Sequence, residues 1–527
     1  MFGGPSGNLP SANNHKFSEV PEANIQRSTF NRSHGLKTTF DAGYLVPIYF
    51  DEAYPGDTFT MNAKAFGRLS TPIHPIFDNL KVNTYFFAVP LRLLWDNFEK
   101  MMGEQDNPTD SIDYLCPQIV NANIVNSTLY DYFGIPTQIA NTTFNNFAGR
   151  CYNLIYNEWF RDENLQDSVV VDKDDGPDDI ADYVLLKKNK THDFFTSQVP
   201  WPQKGDAVQL PLGSSAPVLG IYHNPVDVST AAVNYIDYNS ASWNTVGLPQ
   251  RGTSAEQFLD VLTDGTPQVY ADLSEAVGAT VNELRESFAI QHLLEANARF
   301  GSRYTEIILG HFGVHSADSR LQRPEFIGGG YSNLQMDPIP QTSSTDTTTP
   351  QGNLSAQSYV SLSQGHNFTK SFTEHSVVIG MACVTADLTY QQGLNRMFQR
   401  RDRWDFYWPA LANIGEQATK NSELYYQGTS ADDNTFGYQE AWAELRYKPS
   451  QITGRFRSNY AQTLDSWHLS QEFSSLPVLN SSFIQENPPI DRVVAVTTEP
   501  DLIMDWYFDY VCTRPMPVYS IPGLQRL

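Results

Sequence analysis

Four arginines, Arg396, Arg400, Arg401 and Arg403, fall in one short stretch with Asp402 as its acid, and Trp404, Phe406, Tyr407 and Trp408 follow at once. Guanidinium groups pair with phosphate oxygens in a two-pronged geometry, and nucleobases stack on aromatic rings, so this composition suits single-stranded nucleic acid. The same residue types, once desolvated, anchor contacts between protein subunits. Residue types alone leave both readings open, so Arg396, Arg400, Arg401, Arg403 and Trp404 are candidates for either.

Other constellations carry less. Asp172, Asp174, Asp175, Asp178, Asp179 and Asp182 crowd around Gly176 without the spacing of a calcium-binding loop. They read as a solvated loop, with a divalent-cation bridge between subunits as the sharper alternative. Lys187, Lys188 and Lys190 follow closely enough to pair with them. His311 and His315 have zinc-protease spacing, but Phe312, Gly313 and Val314 between them supply no glutamate and include a helix-weakening glycine. Glu158 and Asp162 share a helical face and could be a glycosidase pair; with Arg161 beside them, an exposed helix end is the commoner meaning. No phosphate loop, dinucleotide fingerprint or nucleophile elbow occurs. The expectation is a protein that is not an enzyme and takes no metal or cofactor.

The elements that must position these residues read mainly as strands. Ala42 to Phe50 is apolar and closes on the turn Pro55-Gly56-Asp57. From Thr58 to Phe66, Phe59, Met61, Ala63 and Ala65 alternate with polar residues, the period of a half-buried strand. Val82 to Val89, Val377 to Val384 and Val493 to Thr498 read as further strands. Leu502, Met504, Trp506, Phe508 and Tyr510 alternate in a last one, so the two ends of the chain are expected to pair in one sheet system. Helical spacing recurs at Phe147, Cys151, Leu154, Ile155 and Trp159, and more briefly at Leu94, Phe98 and Met101. The capping-box pattern Thr280-Val281-Asn282-Glu283 opens a helix toward Phe300. Strands and helices do not alternate as in βαβ units. The fold class expected is all-β dominated: a single eight-stranded jelly-roll β-sandwich with long inter-strand loops carrying a few helices. Eight strands need only about fifty residues, so loops make up most of the 527.

Composition divides the chain further. Residues 1–39 are polar and rich in Gly, Pro, Ser and Asn. They carry Lys16, Arg27, Arg32 and Lys37 against Glu19 and Glu22, a mildly basic segment that reads either as a disordered terminus or as an arm lying on the inner face of an assembly near nucleic acid. Residues 40–204 form the first part of the sandwich, 205–279 a surface insertion and 280–527 the remainder; 330–365 is a second Gly-, Ser-, Thr-, Gln- and Pro-rich stretch. Charged residues are 18% against roughly 25% in ordinary soluble domains, with aromatics at 13%. That suits surfaces buried against other copies, whose centres are poor in charge and rich in rings. The net charge of −24 rules out nucleic-acid binding through the overall field, leaving local contacts or a separate basic partner. Cys116, Cys151, Cys383 and Cys512 lack metal or redox spacing and read as reduced thiols. The N-terminus has no signal-peptide pattern, and no run reaches the ~20 apolar residues of a membrane helix.

Several phrases are more specific. They are Arg27-Ser-Thr-Phe-Asn-Arg-Ser-His34, Phe50-Asp-Glu-Ala-Tyr-Pro-Gly-Asp-Thr-Phe59 and Tyr152-Asn-Leu-Ile-Tyr-Asn-Glu-Trp-Phe-Arg-Asp-Glu-Asn164. Ala296-Asn-Ala-Arg-Phe-Gly-Ser-Arg-Tyr304, Arg320-Leu-Gln-Arg-Pro-Glu-Phe326, Gln439-Glu-Ala-Trp-Ala-Glu-Leu-Arg-Tyr447 and Arg514-Pro-Met-Pro-Val-Tyr-Ser-Ile-Pro522 follow in order. With them the chain resembles the major capsid proteins of the Microviridae, in the gokushovirus branch. The resemblance covers nearly the whole chain and thins in 205–279 and 330–365. It implies one jelly roll per subunit, pentamers, and a T=1 icosahedral shell of sixty copies around a circular single-stranded DNA genome. It implies a small basic DNA-packaging protein, an internal scaffolding protein and a pilot protein as partners. The implied location is the virion, reached through assembly in the host cytoplasm. The 205–279 insertion is expected to form the threefold protrusion that meets a host-cell surface receptor, with Tyr222, Tyr235, Tyr238 and Trp243 as attachment candidates. Two rival readings are a glycan-active β-sandwich hydrolase built on Glu158 and Asp162 or on the aspartates of 172–182, and a surface-binding module built on the insertion.

Overall fold

The computed structural model describes residues 25–206, 208, 218–219, 270–271, 281–300, 303–313, 322–343, 351–352, 354–360 and 365–519. Nine strands make its two large antiparallel sheets. They are β1 (Ser28–Asn31), β2 (His34–Phe40), β3 (Val46–Ala53), β4 (Thr58–Leu69), β5 (Leu80–Pro90), β6 (Glu325–Asn333), β7 (Asn367–Ser371), β8 (Ser376–Ala386) and β9 (Leu502–Arg514). In the first sheet, β9 pairs with β4 along one side. Along the other it pairs with β2 over Leu502–Phe508 and with β1 over Val511–Arg514. β7 pairs with the start of β4. The second sheet runs β6-β5-β8-β3. Strands from the two ends of the chain share one sheet, as their alternation predicts.

Hydrophobic patterning explains why the sheets face each other. In β9, Leu502, Met504, Trp506, Phe508, Tyr510 and Cys512 are buried while Ile503, Asp505, Tyr507, Asp509 and Val511 are exposed. A strand shows that strict period of two when one face meets a core and the other meets water. The buried set packs with Phe59, Met61 and Ala63 of β4 against Ile48, Val82, Phe86, Val378 and Ala382 of the second sheet. Phe59 meets Tyr510 edge-on at 5.3 Å, and Phe86 meets Phe368 at 5.2 Å across the sandwich. The six inward side chains of β9 contribute on the order of 10 kcal/mol of hydrophobic stabilisation, before chain entropy is set against it.

β8 does not alternate: every residue from Ser376 to Thr385 is buried. Its second face is covered too. Val377, Ile379, Met381 and Cys383 pack with Leu94, Trp95 and Phe98 and with helix α1 (Phe147–Ile155), whose Cys151 and Ile155 point the same way. A Cβ on Gly380 would sit 2.6 Å from the Phe86 ring, so this crowded strand has room only for glycine there. A third cluster, Phe194, Phe195, Tyr390, Leu424, Phe436 and Phe483 among others, anchors the long excursion between β8 and β9.

The β-rich sandwich expected from the sequence holds, but its two large sheets contain nine strands rather than eight. Arg32 and Ser33 interrupt the first edge, so β1 and β2 lie end to end along β9. Residues 28–31 and 34–39, which composition placed in the 1–39 arm, therefore lie in sheet strands; residues 1–24 lie outside the described residues. Val493 to Thr498 is not a strand. Val493 and Val494 are both buried after a 3-10 turn at Ile490–Arg492, and the segment makes one isolated bridge, Pro72 to Val494. All four cysteines are free thiols. Two compact units are distinguished, Met1–Pro202 with Ala298–Leu527, and Gln203–Asn297. In the second, Val218–Leu219 pairs with Tyr270–Ala271; the helix Val281–Phe300, which begins in this unit, follows the capping-box sequence.

Candidate interaction surface

The chain leaves β8 at Ala386 and returns to β9 at Leu502. Within this excursion the arginine-and-aromatic stretch is built from short 3-10 turns held by their own side chains. The Asn395 side chain accepts the Met397 N–H at 3.0 Å, capping the turn Arg396–Phe398. Asp402 accepts the Trp404 N–H at 2.8 Å, and Asp405 accepts those of Arg401 (2.7 Å) and Asp402 (3.2 Å). Those backbone donors hold the Asp405 carboxyl below its ordinary range. Trp408 Nε1 donates to the Arg403 carbonyl and Trp442 Nε1 to the Leu411 carbonyl, both at 2.9 Å. The loop is ordered before any partner arrives, which lowers the entropic cost of binding one.

The four arginines divide into two pairs. Arg396 donates to the Ala418 carbonyl at 3.0 Å and lies 3.7 Å from Glu423. Burial pushes the Glu423 carboxyl up, and Arg396 offsets part of that. Arg400 pairs with the half-buried Glu444 at 3.2 Å and lies over the Phe406 ring at 5.5 Å. These two fasten the loop to the body. Arg401 and Arg403 are exposed and make no ion pair among the described residues; Arg403 stacks on Trp404 at 4.3 Å. Around them Phe398 is 69% exposed and Trp404 58%, with Met397, Phe406, Tyr407 and Trp408 also exposed. Sequence spacing could not separate the inward arginines from the outward ones, because Glu423 and Glu444 are distant along the chain.

The N-terminal cations are dispersed. Arg27 donates to Thr58 Oγ1 at 2.8 Å. Arg32 is paired with Asp51 across the sandwich edge and lies over the Tyr510 ring. Lys37 reaches Asp505 at 2.5 Å on the exposed face of the first sheet. That face also displays Lys64 and Arg68 of β4, which the alternation of β4 could have added to the candidates. Lys16, Tyr222, Tyr235, Tyr238, Trp243 and His315 lie outside the described residues.

The constellations read for catalysis or metal have other roles. The aspartate cluster is no purely solvated loop. Asp178 is buried and takes two hydrogen bonds from the wholly buried Arg150 of α1, at 2.8 and 2.5 Å. Burial works to raise the Asp178 carboxyl, and hydrogen bonds from Arg150 and Asn146 overcome it, leaving it below its ordinary value. Asp175 accepts from Trp95 Nε1, and Asp179 caps the turn at Ile180–Asp182. Asp162 accepts the N–H groups of Asn164 and Leu165, while Glu158 sits in the turn Tyr156–Phe160. Gly313 ends the helix that carries His311 at φ +66°. Among the described residues no group of three metal-ligating side chains occurs.

The β-sandwich thus carries an outward surface of cations and rings. Residues 18–524 match the family described as capsid protein (F protein), and the chain belongs to that family. It is 48% identical to "Capsid protein VP1" of Bdellovibrio phage phiMH2K, over 97% of this chain and 98% of the relative. It is 44% identical to "Capsid protein VP1" of Chlamydia phage 1 (98% and 99%) and 38% identical to that of Spiroplasma virus 4 (97% and 98%). The resemblance carried by the sequence phrases is borne out, and the relatives are structural capsid proteins, not enzymes.

Proposed function

We propose that the chain self-assembles into a T=1 icosahedral shell of sixty copies enclosing a circular single-stranded DNA genome. The observation that carries this is the loop at residues 396–411, which among the described residues presents the exposed cations Arg401 and Arg403 beside the exposed rings of Phe398 and Trp404. In this reading β1 and β2 count as one position. The sheets β2-β9-β4-β7 and β6-β5-β8-β3 are then the two halves of a jelly roll, with 91–324 and 387–501 as its long loops. Lys16, Arg27 and Lys37 face the genome, whereas Arg32, committed to Asp51, holds the sheet edge. A shell made of chains at −24 repels DNA overall, so a small basic packaging protein supplies most of the neutralising charge. An internal scaffolding protein and a pilot protein complete the set, with assembly in the host cytoplasm and the virion as destination. The 205–279 insertion, with Tyr222, Tyr235, Tyr238 and Trp243, is the part that meets the host receptor. No membrane insertion is involved; among the described residues no helix is long and apolar enough to cross a membrane. The test is a density gradient of lysate from cells producing the viral gene set. Isometric particles holding this chain and nuclease-protected single-stranded DNA are expected. A soluble monomer in that lysate would overturn the reading.

A further inference from the structure

A second exposed face on the same chain complements the loop at 396–411. We propose that the two are opposing halves of one contact between neighbouring copies, the cationic aromatic face of one subunit seated on an acidic apolar face of the next. The proposal rests on the shell-building reading and names the surfaces that reading needs.

The acidic face follows β5. From Met101 to Gly149 there is no lysine or arginine, while Glu104, Asp106, Asp110, Asp113 and Asp131 are present. Glu104, Asp106 and Asp113 are exposed and make no ion pair among the described residues. Between them Met102 is 52% exposed, Ile112 46% and Leu115 87%. This face is also ordered beforehand: Asp110 accepts the Asn107 N–H at 2.8 Å, and Met101, Tyr114 and Cys116 pack onto the core beneath. In the same excursion between β8 and β9, Lys448, Arg455 and Arg457 are exposed as well, with Arg455 over the exposed Tyr460 ring, and Arg457 and the exposed Tyr447 line a cleft with Arg396.

Register separates the two faces. β5 and β8 run antiparallel, with Pro90 opposite Ser376 at one end and Leu80 opposite Ala386 at the other. The chain leaves Pro90 toward the acidic face, where Met102 and Glu104 line a cleft with Glu374 and His375. It leaves Ala386 toward the cationic loop. The two exits are roughly 30 Å apart along the strands. Among the described residues no ion pair joins the two faces within one chain, so the proposed contact runs head to tail between copies, the arrangement that generates rings and closed shells. Copies at −24 repel each other, and like charges brought together at an interface oppose association. Setting Arg401 and Arg403 against Glu104, Asp106 and Asp113 replaces that repulsion by attraction where the apolar surfaces meet. A nucleic-acid partner would suit the cations and rings but would leave the acidic apolar face without a counterpart.

The test uses the full-length chain expressed with the whole viral gene set. One variant carries Arg401→Glu and Arg403→Glu, a second carries Glu104→Lys, Asp106→Lys and Asp113→Lys, and a third carries all five. Each is checked for native melting as an unassembled subunit. Particle yield is expected to fall about tenfold or more in the first two and to recover in the third. Normal particle yield from the first variant would overturn the proposal, and if those particles lacked DNA the loop would be a genome contact. Failure of the third to recover, with its subunit folded, would overturn the pairing of faces. Absence of particles from the unaltered chain would instead strike at the shell reading itself.

Discussion

Replacing Arg150 with methionine strikes the layer that covers the second sheet. The guanidinium is wholly buried and bonds Asp178 through two donors, the Leu94 carbonyl at 3.1 Å and the Asp174 carbonyl at 2.9 Å. It ties α1 to the turn after β5 and to the acidic loop. The substitution keeps most of the volume but leaves Asp178 with a buried charge answered only by Asn146 and Tyr183. Breaking a buried ion pair from one side costs about 3–5 kcal/mol, a fifth or more of a typical domain's stability of roughly 5–15 kcal/mol. Urea unfolding of the unassembled subunit, followed by tryptophan fluorescence, measures it. Changing Asp178 to leucine as well should recover much of the loss, since no charge is then stranded. A loss below about 1 kcal/mol in the single variant would refute the assignment of this pair as a buried tie. The pH dependence has a definite sign. The folded Asp178 carboxyl lies below its unfolded value, so its contribution is present above the ordinary carboxylate range and is lost as pH falls through the folded value.

Three further outcomes are expected. Gly380→Ala should cost about 1–3 kcal/mol, read as a lowered urea midpoint, because its methyl group would press on Phe86. Burial pushes the Asp501 carboxyl up to about 6. Its stabilising protonation is complete below the ordinary carboxylate range and lost as pH rises through 6, so wild type should melt higher at pH 5 than at 7.5 by a margin that Asp501→Asn reduces. Trp404→Ala should leave the subunit's melting temperature unchanged, since Trp404 is 58% exposed, while lowering particle yield in a gradient. Arg400→Glu is a poorer probe of the surface, because it sets a second carboxylate beside Glu444 and loosens the loop itself.

What was legible in the sequence follows from burial geometry. β4 and β9 have one face in the core and one in water, so their alternation is readable directly, and the helix at Val281 carries its own start signal. β1 and β2 were hidden because they lie on an outer edge where Thr29, Asn31, Lys37 and Thr38 are acceptable, and polar residues there look like an arm. β6 gave no strand signal because Gly328, Gly329 and Gly330 break its alternation, and its end falls in the 330–365 stretch that composition marked as an insertion. These glycines are strand residues because β5 comes so close that a Cβ on Gly329 would sit 2.2 Å from the Thr84 carbonyl. The arginine loop was visible by composition, but its division was not. Whether an arginine staples or protrudes depends on acids such as Glu444, which only the folded chain brings near. Asp178 was misplaced among solvated aspartates for the same reason, its partner Arg150 lying on a helix that precedes the loop.

The most direct measurement is an icosahedral reconstruction by electron microscopy of particles made by this chain. The expected map has one sandwich at each of sixty positions, with Trp404 and its neighbouring rings buried between adjacent copies. Particles whose 396–411 loops all face open solvent, or cells with the full gene set that make no closed particle, would contradict the shell-building role of this surface.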